Sequence, residues 1–349
     1  MNISDRHFFS TFLTLSLMLA ITPITRAQNG ADEISDFQQL QNHFKNEYFS
    51  IGGLVQGVAE FQPERISGNN GFIVNYARLK VSGALDQTFG YKLQASITSS
   101  PAVVDANLYY KLSPNTKITV GFGKSPFSYE YLTSAGSIPF VERSTVVNQL
   151  APKRQIGLQL DGRFAGGFLS YTAGIFNGNH FSINQNNDNH FLYIGNLEAN
   201  LLPSSGSKSE LLIGANISYE QKERPSASGN IQSTFEGEQT LLDSYLHLSK
   251  NKFSLTGELI YSWLQSDFGR EFNPYGYYIT AGYQISKKSK LRLRWDNFEG
   301  DLLAADSESV LVGLNISPSQ YSKIKLNYSI PAQRSIDYSQ LRAAFQVSF

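Results

Sequence analysis

Two pairs of cations, Arg292-x-Arg294 and Lys323-x-Lys325, repeat at a spacing of two. On a β-strand residues i and i+2 share a face, roughly 6–7 Å apart, so each pair presents two positive groups to one side. Arginine supplies a planar fork of donors and lysine a point charge, a combination suited to oxyanions such as phosphate or carboxylates. Catalytic chemistry has thinner material. His43, His180, His190 and His247 are the histidines beyond residue 27, and no Gly-x-Ser-x-Gly, His-Glu-x-x-His or phosphate-loop pattern accompanies them. Asp243 and His247 share one side of a strand, but positions four apart are separated by about 13 Å, beyond hydrogen-bond reach. There is no cysteine, hence no disulfide and no thiolate metal site, and no other cofactor is indicated.

The elements that must position these cations are strands. Apolar residues recur at period two in sixteen segments, each bounded by Gly, Pro, Asn, Ser or Asp. They cover 48–61, 72–85, 89–98, 103–112, 116–124, 153–164, 167–176 and 190–201, then 210–221, 238–249, 252–264, 274–285, 288–298, 308–316, 321–330 and 338–349. Most are long enough for a tilted strand to cross a bilayer, which takes about 9–11 residues. Short connections such as 86–88, 113–115 and 250–251 alternate with longer ones, of which 125–152 is the longest. That rhythm fits a membrane barrel with tight periplasmic turns and longer outer loops. A soluble β-sandwich is the alternative, but its strands are usually shorter and less consistently two-faced.

The last segment is the clearest. Leu341, Ala343, Phe345, Val347 and Phe349 form one face, and Arg342, Ala344, Gln346 and Ser348 the other. An apolar face turned to lipid and a polar one turned to a lumen describe a barrel stave, expected to pair with 48–61 and close the ring. Its aromatic end resembles the terminal strand recognised by outer-membrane assembly machinery. At the other end Arg6 and His7, the apolar run 8–21 and Thr25-Arg26-Ala27 follow the order of a cleaved secretory signal, residues 1–27. Residues 28–47 carry Ile34, Phe37, Leu40 and Phe44 at near-helical spacing, expected as a periplasmic leader or short helix, with the barrel occupying 48–349. A net charge of +0 gives no reason to expect nucleic acid.

With the apolar sets on lipid, the opposite parity lines a lumen. Its positive members are Arg78, Lys80, Lys92, Lys111, Lys117, Lys153, Arg163, Arg292, Arg294, Lys323, Lys325 and Arg342. The acids, Glu60, Asp105, Asp161, Glu198, Asp243, Glu258 and Asp296, are fewer, so the wall is net basic and would favour anions. Tyr261, Trp263, Tyr275, Tyr277 and Trp295 sit near strand ends, where an interfacial aromatic girdle is expected.

The longest connection carries a resemblance. Gly123-Lys-Ser-Pro-Phe-Ser-Tyr-Glu130, Glu142-Arg-Ser144 and Pro152-Lys-Arg-Gln-Ile-Gly157 occur in order. They are similar to the Gly-x-x-x-Pro-Phe-x-x-Glu, Glu-Arg-Ser and Pro-x-Arg-x-x-Gly motifs of the phosphate-selective porin O and P family, the first with one residue fewer between Gly123 and Pro126. The resemblance covers essentially the whole chain after the signal. It implies an all-β, sixteen-stranded, transmembrane antiparallel barrel, homotrimeric and water-filled, with the long third loop folded into the lumen as its constriction. Charges expected at that constriction are Lys124, Glu130, Glu142, Arg143, Lys153 and Arg154. Family members use a ring of lysines there to hold phosphate, whereas residues 125–152 contain none. Phosphate selectivity is therefore not carried over, and Arg143 is expected to pair with adjacent Glu142 and so fix the loop.

The function expected is an outer-membrane porin, passing small hydrophilic solutes with a modest preference for anions, phosphate or polyphosphate among them. Expected partners are outer-membrane lipid and lipopolysaccharide, the assembly machinery, small anionic or neutral solutes, and further copies in a homotrimer. The alternatives are a ligand-specific receptor or closed structural barrel, and an outer-membrane hydrolase.

Overall fold

The computed structural model describes residues 48–63, 70–98, 102–180, 182–202, 209–227 and 229–349. The expected signal and leader, 1–47, lie outside these residues. In the first half the strands are β1 (Ser50–Phe61), β2 (Gly71–Ala84), β3 (Phe89–Ser96), β4 (Val103–Ser113), β5 (Thr116–Lys124), β6 (Arg154–Phe164), β7 (Leu169–Phe176) and β8 (Leu192–Asn200). The second half contributes β9 (Ser209–Lys222), β10 (Gly237–Lys250), β11 (Phe253–Gln265), β12 (Glu271–Phe272), β13 (Tyr275–Gln284), β14 (Ser289–Glu299), β15 (Ser307–Ile316), β16 (Ser322–Pro331) and β17 (Gln340–Ser348). β12 is a two-residue rung in the loop after β11, and β11 pairs directly with β13. The other sixteen strands are the predicted ones, each end shifted by at most two residues.

Each strand is antiparallel to the next, and β1 pairs with both β2 and β17, so the sheet closes into a barrel without a free edge. Closure gives every long strand a hydrogen-bonded neighbour on both sides, so that the sheet pairs its backbone internally, as a bilayer requires. Phe349 completes the seam. Its backbone exchanges hydrogen bonds with Gly53 at 3.1 and 3.2 Å, and its ring occupies the space where a Cβ on Gly53 would sit, 2.5 Å away. Only glycine at 53 lets the terminal aromatic lie flat on β1.

The outer surface inverts the rule of soluble proteins. Val55, Leu79, Leu93, Leu108, Val120, Leu197, Leu293 and Phe345 are all exposed, one per alternate position, which is what a lipid-facing wall demands. Strand β2 looks inconsistent at first, because Phe72 and Val74 share sequence parity with Arg78 and Lys80. A bulge opposite Gln56 and Gly57 resolves it: Gln56 faces Tyr76 but Gly57 faces Val74, leaving Asn75 as the extra residue. The slip moves Phe72, 90% exposed, to the lipid side while Arg78 stays inward. Trp263 and Trp295 are exposed, and Tyr261 lies 4.6 Å from Trp263 and 5.9 Å from Tyr275, centroid to centroid, near the long-loop rim. Among the described residues no helix is long and apolar enough to cross a membrane, which says nothing against strands doing so.

Candidate functional site

The register settles which side chains look inward. Across the first wall Gln56 meets Tyr76, Lys80 meets Gln94, Lys92 meets Asn107 and Lys117 meets Asp161. On the far side Thr280 meets Arg294, Asn315 meets Lys325 and Glu60 meets Arg342. The charged strand residues predicted for the lumen therefore share one parity, with Lys111 and Arg163 exposed at the short-turn rim.

Into this space the third loop inserts two short helices, α1 (Tyr129–Leu132) and α2 (Thr145–Leu150). α1 is capped by Ser128, whose hydroxyl accepts from Tyr131 N–H at 3.1 Å. Ser144 makes no side-chain cap for α2. Instead the Glu130 carboxylate accepts from Ser144 N–H at 2.7 Å and Asp296 from Thr145 N–H at 3.1 Å, two anions at the positive end of the helix. The apolar side of α2, Val146, Val147 and Leu150, packs on Phe127, Tyr278, Ile260 and Phe298. The same core takes in Ile231 and Phe235, which belong to or follow a third helix, α3 (Ile231–Thr234), in the loop between β9 and β10. This core fills lumen space against β11, β13 and β14 with protein. The sequence carried a signal for this in Val146, Val147 and Leu150, whose i, i+1, i+4 spacing marks a helix face.

Three inward groups hold the loop to the far wall. Arg294, 1% exposed, bonds Glu130, donates to Thr280 Oγ1 at 3.0 Å and lies between the rings of Phe140 and Tyr278 at 4.7 and 4.6 Å. Glu258 accepts from Glu130 N–H at 3.1 Å and from the Tyr278 hydroxyl at 2.7 Å. Lys325, 0% exposed, donates to the carbonyls of Ile138 and Phe140 at 2.9 and 3.2 Å. Buried charges require such partners. Arg294 and Lys325, expected on an anion path, are therefore anchors beneath the loop, because its carboxylate and carbonyls consume their donors. The four-cation ladder is split: Arg292 remains partly exposed and bonds Ser254, and Lys323 donates to Gly136 O at 2.8 Å.

The expected pair of Arg143 with Glu142 is also corrected. Arg143 donates to the carbonyls of Glu130 and Thr133 at 3.1 and 2.9 Å, bracing the loop internally, while Glu142 reaches Arg342, which also pairs with Glu60 at 2.8 Å. Neighbouring side chains on an extended segment point apart, so Glu142 faces the wall when Arg143 faces the loop.

At the loop's roots the cations converge on Tyr131. Lys124, Arg143 and Lys153 lie 5.1, 5.3 and 5.7 Å from its ring centroid, and Arg154 reaches its hydroxyl at 3.5 Å. Lys124 donates to three loop carbonyls, those of Tyr131, Leu132 and Thr133. Arg154 is neutralised by Asp105 at 3.2 Å, which also takes Lys92 at 2.7 Å. Burial, reinforced by the charge of Arg143, lowers the Lys153 ammonium to about 7 from the ordinary lysine value of 10.5. The unfolded chain then holds a proton on Lys153 that the native state has lost between about 7 and 10.5. On this group's account, stability falls as pH drops through that window. Lys153→Met should flatten the difference in urea midpoint between pH 7 and pH 9 for protein in lipid vesicles; an unchanged difference would refute the assignment.

Residual open space lies against β1–β6, with a volume of about 460 Å³. Lys80, Lys92, Lys117 and Lys124 line it with Asp105 as the one carboxylate, beside Asn107, Gln155 and Gln159. A smaller space of about 180 Å³ opens between Glu142, Arg143, Asp296 and Arg342. The histidines assemble differently: His247 contacts Thr256 Oγ1 at 2.8 Å, Asp243 is held by Asn216, and His190 pairs with Glu223 at 3.0 Å. Among the described residues no group of three His, Asp or Glu side chains is placed to hold a metal.

Known proteins agree with this architecture. The barrel is similar to an anion-selective porin from Comamonas acidovorans, with TM-score 0.60 and 12% identity over 86% of this chain and 99% of the other. It is also similar to the in-vitro folded trimer form of OmpT from Vibrio cholerae, TM-score 0.57 and 11% identity over 86% and 99%. The outer membrane channel DcaP of Acinetobacter baumannii matches at TM-score 0.57 and 10% identity over 86% and 97%. No curated protein matches the sequence. The family model for phosphate-selective porin O and P matches residues 52–298, spanning both the loop motifs and most of the strands. The chain therefore belongs to the phosphate-selective porin O and P family and, as a porin, is an outer-membrane channel.

Proposed function

We propose that the channel conducts small hydrophilic solutes with a modest preference for anions, along a path that hugs β1–β6. The observation that carries this reading is the residual space itself, whose wall sets four lysines against one carboxylate. Asp105 is already shared by Lys92 and Arg154, and Lys124 is held by three loop carbonyls, so the charge that acts on the water-filled path is chiefly that of Lys80 and Lys117. A low-dielectric wall focuses such a field and raises the local anion concentration. Arg78, Lys111, Arg163, Arg292 and Lys323 extend the positive lining above and below the loop.

Phosphate and polyphosphate are candidate solutes by family, although residues 125–152 offer no lysine to hold them. Planar-bilayer recordings in a potassium chloride gradient test the reading: the reversal potential should have the sign of a chloride-preferring pore, and a cation-selective sign would overturn it. Block of chloride current by low phosphate would extend the preference to phosphate. A channel is favoured over a hydrolase because His247, which contacts the Thr256 hydroxyl, has its paired carboxylate, Glu210, 4.0 Å away, too far to hydrogen-bond and orient it as a catalytic base. We further propose a cleaved signal at 1–27, assembly through the terminal strand, and a homotrimer, the form also named for the Vibrio cholerae relative.

A further inference from the structure

The outer face carries a feature that solute passage does not use. Near the short-turn rim, Leu255, Ala281 and Leu293 form one cross-strand row on β11, β13 and β14. The next row toward the turns holds Lys250, Phe253 and Tyr283. Ala281 is the small member between two leucines, and one row beyond it Gly257, also without a bulky side chain, lies beside Ile279. The result is an apolar groove of about 320 Å³ on the membrane side, with Lys250 in its lining. Phe253 and Tyr283 stand together at its lower end, ring centroids 4.8 Å apart.

Below the groove the turns are strongly basic. Lys250 and Lys252 flank Asn251 in the turn from β10 to β11, and Lys287 and Lys288 make the turn from β13 to β14. All four are exposed, neither turn contains a carboxylate, and none of the four has an ion pair among the described residues. Glu210, at the start of β9, shares the inward parity of Ser249 and lies 4.0 Å from His247, so it does not offset them. Short turns of such barrels face the periplasm, where the adjoining leaflet is phospholipid. A groove that accepts one acyl chain, directly above a patch that attracts a phosphodiester, matches the two ends of an anionic phospholipid.

We propose that this groove and its lysines form a binding site for an anionic phospholipid, one acyl chain lying over Ala281 and the headgroup phosphate between the two turns. The reading is independent of what the pore conducts. Trp295 provides a reporter, because it lies on the same outer face two residues, roughly 6–7 Å, along β14 from Leu293, and Trp263 is the chain's other tryptophan.

In a Trp263→Phe background, full-length protein would be reconstituted into phosphatidylcholine vesicles containing brominated phosphatidylglycerol or brominated phosphatidylcholine at equal mole fraction. Phosphatidylglycerol should quench Trp295 about three-fold or more efficiently than phosphatidylcholine, given the pull of several lysines on an anionic headgroup. Replacing Lys250, Lys252, Lys287 and Lys288 by glutamine should bring the two lipids level. Ala281→Leu, which fills the groove, should reduce quenching by both lipids while single-channel conductance, read as the check on folding, stays unchanged. Equal quenching by the two lipids in the parent protein, or a preference that survives the four glutamines, would overturn the proposal.

Discussion

Arg294→Met should raise single-channel conductance several-fold and make the open state noisy. Arg294 is the cation that pairs with Glu130 and stands beside Asp296 at 3.9 Å, all three buried between the third loop and β14. Removing it leaves the buried Glu130 and Asp296 carboxylates without the cation between them, a defect that costs about 3–5 kcal/mol where one partner of a buried pair is deleted. The cheapest relief is for the loop to lift, since Glu130 also supplies the cap of α2 and would carry that helix with it. The double substitution Arg294→Met with Glu130→Gln removes both charges and should recover most of the closed-loop conductance, because the coupling between the two sites is what the cycle measures. Planar-bilayer recordings of the three variants decide it. Conductance in Arg294→Met equal to that of the parent would show that the loop is held without this ion pair, by its apolar core together with Glu258 and Lys325.

The second large effect is expected from the opposite wall. Lys80→Glu combined with Lys117→Glu should invert the reversal potential, turning an anion-preferring pore into a cation-preferring one. Both side chains line the open space, and reversing two of them changes the wall by four charges against a single carboxylate, Asp105. Neither lysine anchors the loop: Lys80 is exposed, and Lys117 makes only a 3.5 Å pair with Asp161. Conductance should therefore change less than selectivity. If selectivity followed Arg292 or Lys323 instead, with the double glutamate silent, the path would have to run on the far side of the loop. Salt dependence offers an internal check, since the inversion should weaken as screening shortens the reach of the wall charges.

Other members of the basic set have structural duties that limit what they contribute to conduction. Lys92 and Arg154 are committed to Asp105, and Arg342 to Glu60 and Glu142. Lys323 and Lys325 act as supports for the loop segment from Gly136 to Phe140, donating to its carbonyls. Thus a residue can face the lumen and still be invisible to a passing ion. Counting charges by parity gave the sign of the wall; only contacts show which charges are free.

Most of the fold was legible in the chain because the signals for it are local. Alternation of apolar and polar residues fixes a strand and its two faces within ten residues, and short turns such as Lys250-Asn251-Lys252 fix the antiparallel neighbour. Even the inward parity of Arg292, Arg294, Lys323 and Lys325 follows from period two. The terminal stave, with Phe349 laid over Gly53, shows how far this reaches: the alternation of 341–349 foretold its pairing with β1 across almost the full length of the chain.

What the sequence did not determine is where the third loop lands. Glu130 and Arg294 are 164 positions apart, and Gly136 and Gln346 are 210 apart. No local pattern brings such residues together; closure of the barrel does, by placing β14, β16 and β17 opposite the root of β5. That closure turned Arg294 and Lys325 from expected wall charges into buried anchors, and gave Glu142 to Arg342 rather than to its neighbour. It also packed apolar side chains on one side of the lumen and left an open space of about 460 Å³ beside β1–β6. Local alternation sets which way each side chain points, whereas the burial of a charge depends on what packs against it, and that is a property of the closed ring alone.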